Sequence, residues 1–295
     1  GLFIVDIADP AAPVLVGSAP ELSAWGGIVV MAPDRLLVAD FNFGLYDVDI
    51  SDPAAPAIRA RQRLTGGADD IARHGDDLWV ANNYAGVTRL ALSDGGEQLR
   101  PTGRWFVDQA AFAVAPGSEA VWIVGNDGLI SIDPASPSMP RTVGTLPSPG
   151  LLVRAAIADG RIATVSSWNI DRRALHVLQD GAPLEPLGAT PLGPFFNIDT
   201  PGDALALSNG VAWVPAGGYG IVGYDLRNPA AIRRLTGWRD DHALVIESLV
   251  VRDGRAVGLS ERNEVVVLDV SDPVRPVVIG RTTVRRGEPA SLAVV

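Results

Sequence analysis

The sequence predicts an all-β fold, a seven-bladed β-propeller of four-stranded antiparallel blades, from three observations. A unit of about 44 residues recurs along the chain, with anchors at Gly1, Gly44, Gly86, Gly128, Ala174, Gly220 and Glu264 spaced 43, 42, 42, 46, 46 and 44 residues apart. Turn formers are abundant: 32 glycines and 23 prolines make about 19% of 295 residues, against roughly 12% in an average chain. Apolar runs are short, alternating and bounded by turn residues, and none approaches the ~18 apolar residues of a membrane helix. Such a period without a helical pattern suits one four-stranded blade per unit.

The elements follow in a fixed order. In the best-preserved unit Gly27 to Met31 is expected as the inner strand, Arg35 to Ala39 as the second, Leu45 to Ile50 as the third and Ile58 to Leu64 as the outer one. Nine residues after each anchor stand Pro10, Pro53, Gly95, Pro137, Pro183, Pro229 and Pro273, preceded by Asp9, Asp52, Asp94, Ser136, Ala182, Asn228 and Asp272. A short side-chain oxygen accepts a bond from the turn backbone, and proline presets φ where no ladder partner needs its N–H. Asp6, Asp49, Asp133, Asp225 and Asp269, five residues after their anchors, read as turn-holding for the same reason.

One domain over residues 1–295 is expected, with blades at 24–65, 66–107, 108–147, 148–191, 192–238 and 239–286, and a last blade shared between 287–295 and 1–20. The ends supply three strands to that blade, so the expected ring is one strand short and reads as excised from a longer chain.

The core pattern of glycine, leucine, two hydrophobics and aspartate leading to Asp-Pro-x-x-Pro has its closest copies in FIVDIADPAAP, YDVDISDPAAP and VVLDVSDPVRP. It resembles the LVIVD repeat, a propeller family of bacterial and archaeal surface or secreted proteins. The copies from Gly86 and Ala174 depart most, with Ala91 for the aspartate and Gly95 for the proline. The resemblance implies the fold and a place outside the cytoplasm, extracellular, periplasmic or on the cell surface. It implies no catalytic residues.

Composition narrows the partners. Twenty-four basic residues, all arginine, face 34 acidic ones for a net charge of −10, which disfavours nucleic acid and anionic membrane. No cysteine is present, which excludes disulfides, thiolate catalysis and iron–sulfur sites.

Function is sought in residues that do not repeat. Inner-strand alignment places Asp69, Asp70, Asp203 and Glu247 beside Arg154 at the channel mouth, with Asp108, Asn197, Asp199, Asp240, Asp241 and His242 in nearby loops. Two readings follow: a hydrated acidic channel in which Arg154 pairs with Asp70 or Asp203, or a Ca²⁺ site held by Asp70, Asp203, Glu247 and Asn197 that polarises an ester or lactone carbonyl. The three histidines, His74, His176 and His242, fall in a turn, a third strand and a loop, which leaves a Ser–His–Asp triad without a G-x-S-x-G elbow.

Trp79, Trp122 and Trp213 sit in second strands and are expected in the core. Trp25, Phe41, Phe43, Tyr84, Trp168, Phe195, Phe196, Tyr219 and Trp238 lie in or beside loops, mostly on one face. Trp25, Phe41, Phe43, Tyr84, Trp168 and Tyr219 are the expected partner-binding set, for a protein or carbohydrate. The insertion Ser166 to Arg173 is the expected specificity loop. The expectation is a non-catalytic binding or scaffolding module needing no cofactor, with the Ca²⁺-dependent hydrolase as the alternative.

Overall fold

A computed structural model of the chain describes all residues except 23–25, 94–97, 108–109, 119, 126–127, 134–141, 148–151, 167–172, 182–184, 193–204, 241–243, 285–290 and 295. A two-stranded sheet comes first, β1 (Leu2–Asp6) with β2 (Val14–Ala19). Six four-stranded antiparallel blades follow. Blade 1 is β3 (Ile28–Ala32), β4 (Arg35–Asp40), β5 (Gly44–Asp49) and β6 (Ala57–Gln62). Blade 2 is β7 (Asp70–His74), β8 (Asp77–Ala81), β9 (Val87–Leu92) and β10 (Leu99–Trp105); blade 3 is β11 (Ala111–Pro116), β12 (Val121–Gly125), β13 (Gly128–Ile132) and β14 (Thr142–Pro147). Blade 4 is β15 (Leu152–Ala158), β16 (Arg161–Ser166), β17 (Ala174–Gln179) and β18 (Pro186–Pro191); blade 5 is β19 (Ala206–Ser208), β20 (Val211–Pro215), β21 (Ile221–Asp225) and β22 (Arg233–Arg234). Blade 6 is β23 (Ile246–Arg252), β24 (Arg255–Ser260), β25 (Glu264–Asp269) and β26 (Val277–Thr283). Inner strands β3, β7, β11, β15, β19 and β23 contact one another in that order.

Local chemistry explains the elements. Asp159-Gly160, Asn209-Gly210 and Asp253-Gly254 join inner to second strands, and all six residues have positive φ, as a type I′ hairpin requires. Second strands are mainly apolar in their middle because both their faces meet neighbouring blades; every residue of β12 and β20 is buried. Some outer strands face water with charge, as in β6 with exposed Arg59 and Arg61.

The core is layered between blades rather than gathered at one centre. Leu37, Leu45, Leu78 and Leu90 fill the layer between blades 1 and 2, and each buried leucine contributes about 2 kcal/mol. Similar layers lie between each later pair of blades, and another joins Leu2, Ala19 and Leu22 to blade 1.

The repeated aspartates hold turns as expected. Asp6, Asp49, Asp225 and Asp269 accept the N–H two residues on at 2.8–3.1 Å, and Asp9, Asp52 and Asp272 do the same at 3.0 Å. The prolines have a second use that spacing alone did not reveal. A Cβ on Gly17, Gly188 or Gly280 would lie 1.9, 1.9 or 2.2 Å from the carbonyl oxygen of Pro53, Pro229 or Pro10. Outer-strand glycine therefore seats the Asp-Pro turn of the next unit, and this joint links blade 6 to the β1–β2 sheet and that sheet to blade 1.

The expected seventh four-stranded blade, shared between the two ends, does not form: the propeller has six blades. β1 corresponds to a third strand and Ser291 to Val294 to an inner one, so a second strand would have to lie between them. Strands pair only at about 4.8 Å, and among the described residues Ser291 to Val294 enter no ladder. The two-stranded sheet stands alone in that sector.

Candidate functional site

The loops joining second to third strands, and outer strands to the next blade, form the top face. Asp40 ends β4 and folds back to accept the N–H groups of Asn42 and Phe43 at 2.8 and 2.9 Å. This tight turn leaves Phe41 and Phe43 47% and 46% exposed. Next to it, a Cβ on Gly67 would lie 1.8 Å from the Phe41 carbonyl, so the entry to blade 2 runs directly against the Phe41 turn.

Asn83 sits in left-handed conformation at φ 51° in the loop between β8 and β9. Its amide donates to Asp69 Oδ2 at 2.8 Å, and its carbonyl oxygen accepts the Tyr84 N–H at 2.9 Å, leaving Tyr84 83% exposed. At the end of β10 Trp105 turns inward, and Phe106, just past the strand, turns outward and is 74% exposed under the Arg104 guanidinium, 4.8 Å from the ring centre. A Cβ on Gly86 would lie 3.0 Å from the Phe106 Cα, which places Phe106 beside the Tyr84 loop. Phe41, Phe43, Tyr84 and Phe106 thus occupy adjoining loops at the tops of blades 1 and 2. Phe106 was not expected; the inward–outward alternation of Trp105 and Phe106 was the available signal.

Asp69 lies beneath these loops. Burial pushes its carboxyl up to about 6, against the opposing effects of the Asn83 amide and the Arg154 charge. Asp70 points into the channel but is committed: Oδ1 accepts the Ile71 N–H at 2.9 Å, Oδ2 accepts the Val114 N–H at 3.0 Å, and Arg154 Nη1 stands 3.9 Å from Oδ2. The cavity here, about 250 Å³, is otherwise lined mainly by aliphatic side chains, including Ile28, Leu205, Val250 and Leu292. Asp70 therefore stitches blade 2 to blade 3 and pairs with Arg154.

Of the proposed Ca²⁺ ligands, Asp203 and Asn197 lie outside the described residues, and Glu247 is on β23. Among the described residues, no group of three histidines or carboxylates could hold a metal ion. Trp25, Trp168, Phe195, Phe196 and His242 also lie outside the described residues, as does most of the Ser166 to Arg173 insertion. Tyr219 ends a 3-10 turn, Gly217–Tyr219, inside the hairpin between β20 and β21.

His74 and His176 are on different blades, and burial holds the His176 imidazole below its usual range. Trp79, Trp122 and Trp213 are buried, with Trp122 Nε1 donating to Asp180 Oδ1 of the next blade at 3.1 Å. Trp238, expected near the loops, is buried too, under the Arg281 guanidinium.

Fold and site together define a β-propeller repeat module with an aromatic loop face. The family model for the LVIVD repeat matches residues 1–20, 36–61 and 260–284; the chain carries LVIVD repeats, and its propeller is consistent with that repeat family. No curated protein matches the sequence. Among solved structures, the computationally designed Ika8 protein is similar in fold, with a TM-score of 0.62 at 12% identity, over 85% of this chain and 72% of that one. Among the described residues no helix is long and apolar enough to cross a membrane.

Proposed function

We propose that this propeller is a non-catalytic binding or scaffolding module of a secreted or cell-surface bacterial protein, and that it recognises a protein or glycan through its top face. The observation that carries the reading is the Phe41, Phe43, Tyr84 and Phe106 surface: large aromatics left in water on adjoining loops of a rigid platform. Aromatic anchors of this kind dominate binding energy at interfaces. The placement outside the cytoplasm draws on the LVIVD resemblance alone. The hydrolase alternative has less support, because both Asp70 oxygens already accept backbone N–H groups and the Arg154 charge lies beside one of them.

The test compares the protein with a Phe41→Ala, Tyr84→Ala, Phe106→Ala triple variant on panels of purified glycans and bacterial surface proteins. Ligands retained by the parent should bind the variant at least about tenfold more weakly, with an unchanged melting temperature. Equal binding by both proteins, or no ligand on either panel, overturns the reading.

A further inference from the structure

The layer pattern has one gap. Every neighbouring pair from β1–β2 through blade 6 shares a packed apolar cluster, but among the described residues none joins blade 6 back to β1–β2. A cleft of about 630 Å³ lies there instead. Leu36 and Val38 of blade 1 line one side, Val257 and Leu259 of blade 6 the other, and β1 forms its floor. Phe3, Ile4 and Val5 are only half buried, and β1 pairs with β2 alone, so its second backbone edge has no strand partner among the described residues. The Ser291 hydroxyl on the cleft wall is buried without a hydrogen-bond partner.

The molecule itself supplies the template for what fits. β5 is the strand equivalent to β1, and β4 lies along the corresponding edge, from Arg35 opposite Asp49 to Asp40 opposite Gly44. In blade 6 the same place is taken by β24, with Arg255 opposite Asp269. In both blades an arginine therefore stands opposite the turn-holding aspartate in the ladder and aliphatic residues follow; the Arg35 guanidinium turns to Asp47 at 2.8 Å, while the Arg255 charge acts on Asp269 itself. Asp6 is that aspartate in β1, and no cation pairs with it among the described residues; it accepts the Ala8 N–H at 2.8 Å.

We infer that the cleft is a strand-accepting site, where an extended partner segment of one arginine followed by aliphatic residues adds antiparallel to β1 and widens the sheet to three strands. Backbone bonds to the β1 edge give affinity, apolar side chains fill the two walls, and the arginine against Asp6 sets direction and register. A free apolar molecule would fill the volume but leave the edge N–H and C=O groups without partners, which favours a peptide. The inference is independent of the top-face reading, since cleft and aromatic loops share no residue.

The experiment uses the 295-residue chain and a capped fluorescent peptide, Arg-Leu-Leu-Val-Ala-Asp, the sequence of β4. Fluorescence anisotropy should give saturable one-to-one binding. N-methylation of alternate peptide nitrogens should abolish it, and replacing the peptide arginine by glutamate should weaken it up to about fivefold. Asp6→Asn, which keeps the turn acceptor but removes the charge, should erase the preference for arginine over glutamate; the two peptides on the unaltered chain read the same charge effect should that variant not fold. No saturable binding overturns the inference, as does equal binding of the N-methylated peptide, which would mark the cleft as an apolar cavity without strand addition.

Discussion

At the turn end of the propeller, Asp6, Asp49, Asp225 and Asp269 each bond the backbone two residues on, and Pro10, Pro53 and Pro229 dock onto the preceding outer strand. At the loop end, Phe41, Phe43, Tyr84 and Phe106 stand in water, with their turns held by unrelated devices: the Asp40 carboxylate in one loop and left-handed Asn83 in the next. The difference teaches how a repeat protein divides its labour. Residues that recur satisfy backbone groups that recur, and their change acts on stability. Residues that depart from the repeat are released from that duty, and under the proposed function their change is expected to act on recognition.

The largest expected effect is at the joint between blades. Gly188→Val would place a side chain where a Cβ alone already meets the Pro229 carbonyl at 1.9 Å. Separating the outer strand of blade 4 from blade 5 should cost about 3 kcal/mol or more, read as a lower denaturant midpoint. A midpoint unchanged from the parent would show that the joint is slack and that the turn end is less determining than its pattern suggests.

Next comes Asp180→Ala. The carboxylate accepts Trp122 Nε1 at 3.1 Å and the Ser118 N–H at 2.9 Å across the boundary between blades 3 and 4. The buried Trp122 Nε1 donor would lose its partner while the exposed Ser118 N–H turns to water, at a cost of about 1–3 kcal/mol. Calorimetry of the variant should show this as one cooperative, shifted transition.

The third test concerns pH at the loop end. Asp69 titrates at about 6 in the folded protein because burial disfavours its charge. A carboxyl raised on folding contributes most below its unfolded value, near 4, and this contribution is lost as pH rises through 6. Asp69→Asn should therefore stabilise the protein at pH 7.5, by about 1 kcal/mol after allowing for solvent screening of a partly exposed group, and should have no effect at pH 4. Asp225 runs the opposite way. Arg227 and Arg233 hold it well below the usual carboxylate range, so its contribution is present at neutral pH and fades under strongly acidic conditions.

The smallest stability effect is expected where the functional effect is greatest. Tyr84→Ala and Phe106→Ala, at 83% and 74% exposure, should each change stability by less than about 0.5 kcal/mol. A larger loss of stability would place these rings in the packing and remove the contrast between the two ends.

Much of the fold was legible in the sequence. The Asp-Pro turns, the apolar second strands and the order of elements follow from local rules, and the expected strands of blade 1 begin and end within a residue or two of β3 to β6. The candidate site was legible in part. Phe41, Phe43 and Tyr84 stood out as loop aromatics, Phe106 was missed because it abuts an outer strand, and the burial of Trp238, which does lie in a loop, was not legible because a tryptophan in a loop can still turn inward.

The sequence by itself determined the strand period, the turn chemistry and the β-propeller class, because each depends on residues within a few positions of one another. Tertiary structure decided the blade count, the seating of Pro53, Pro229 and Pro10 on glycines of the preceding outer strand, the commitment of Asp70 to Val114 and Arg154, and the cleft beside β1. These depend on backbone groups dozens to hundreds of residues apart meeting at hydrogen-bond or van der Waals distance. Counting strands along a chain cannot establish that the strands at its two ends lie one spacing apart, and pairing requires that spacing.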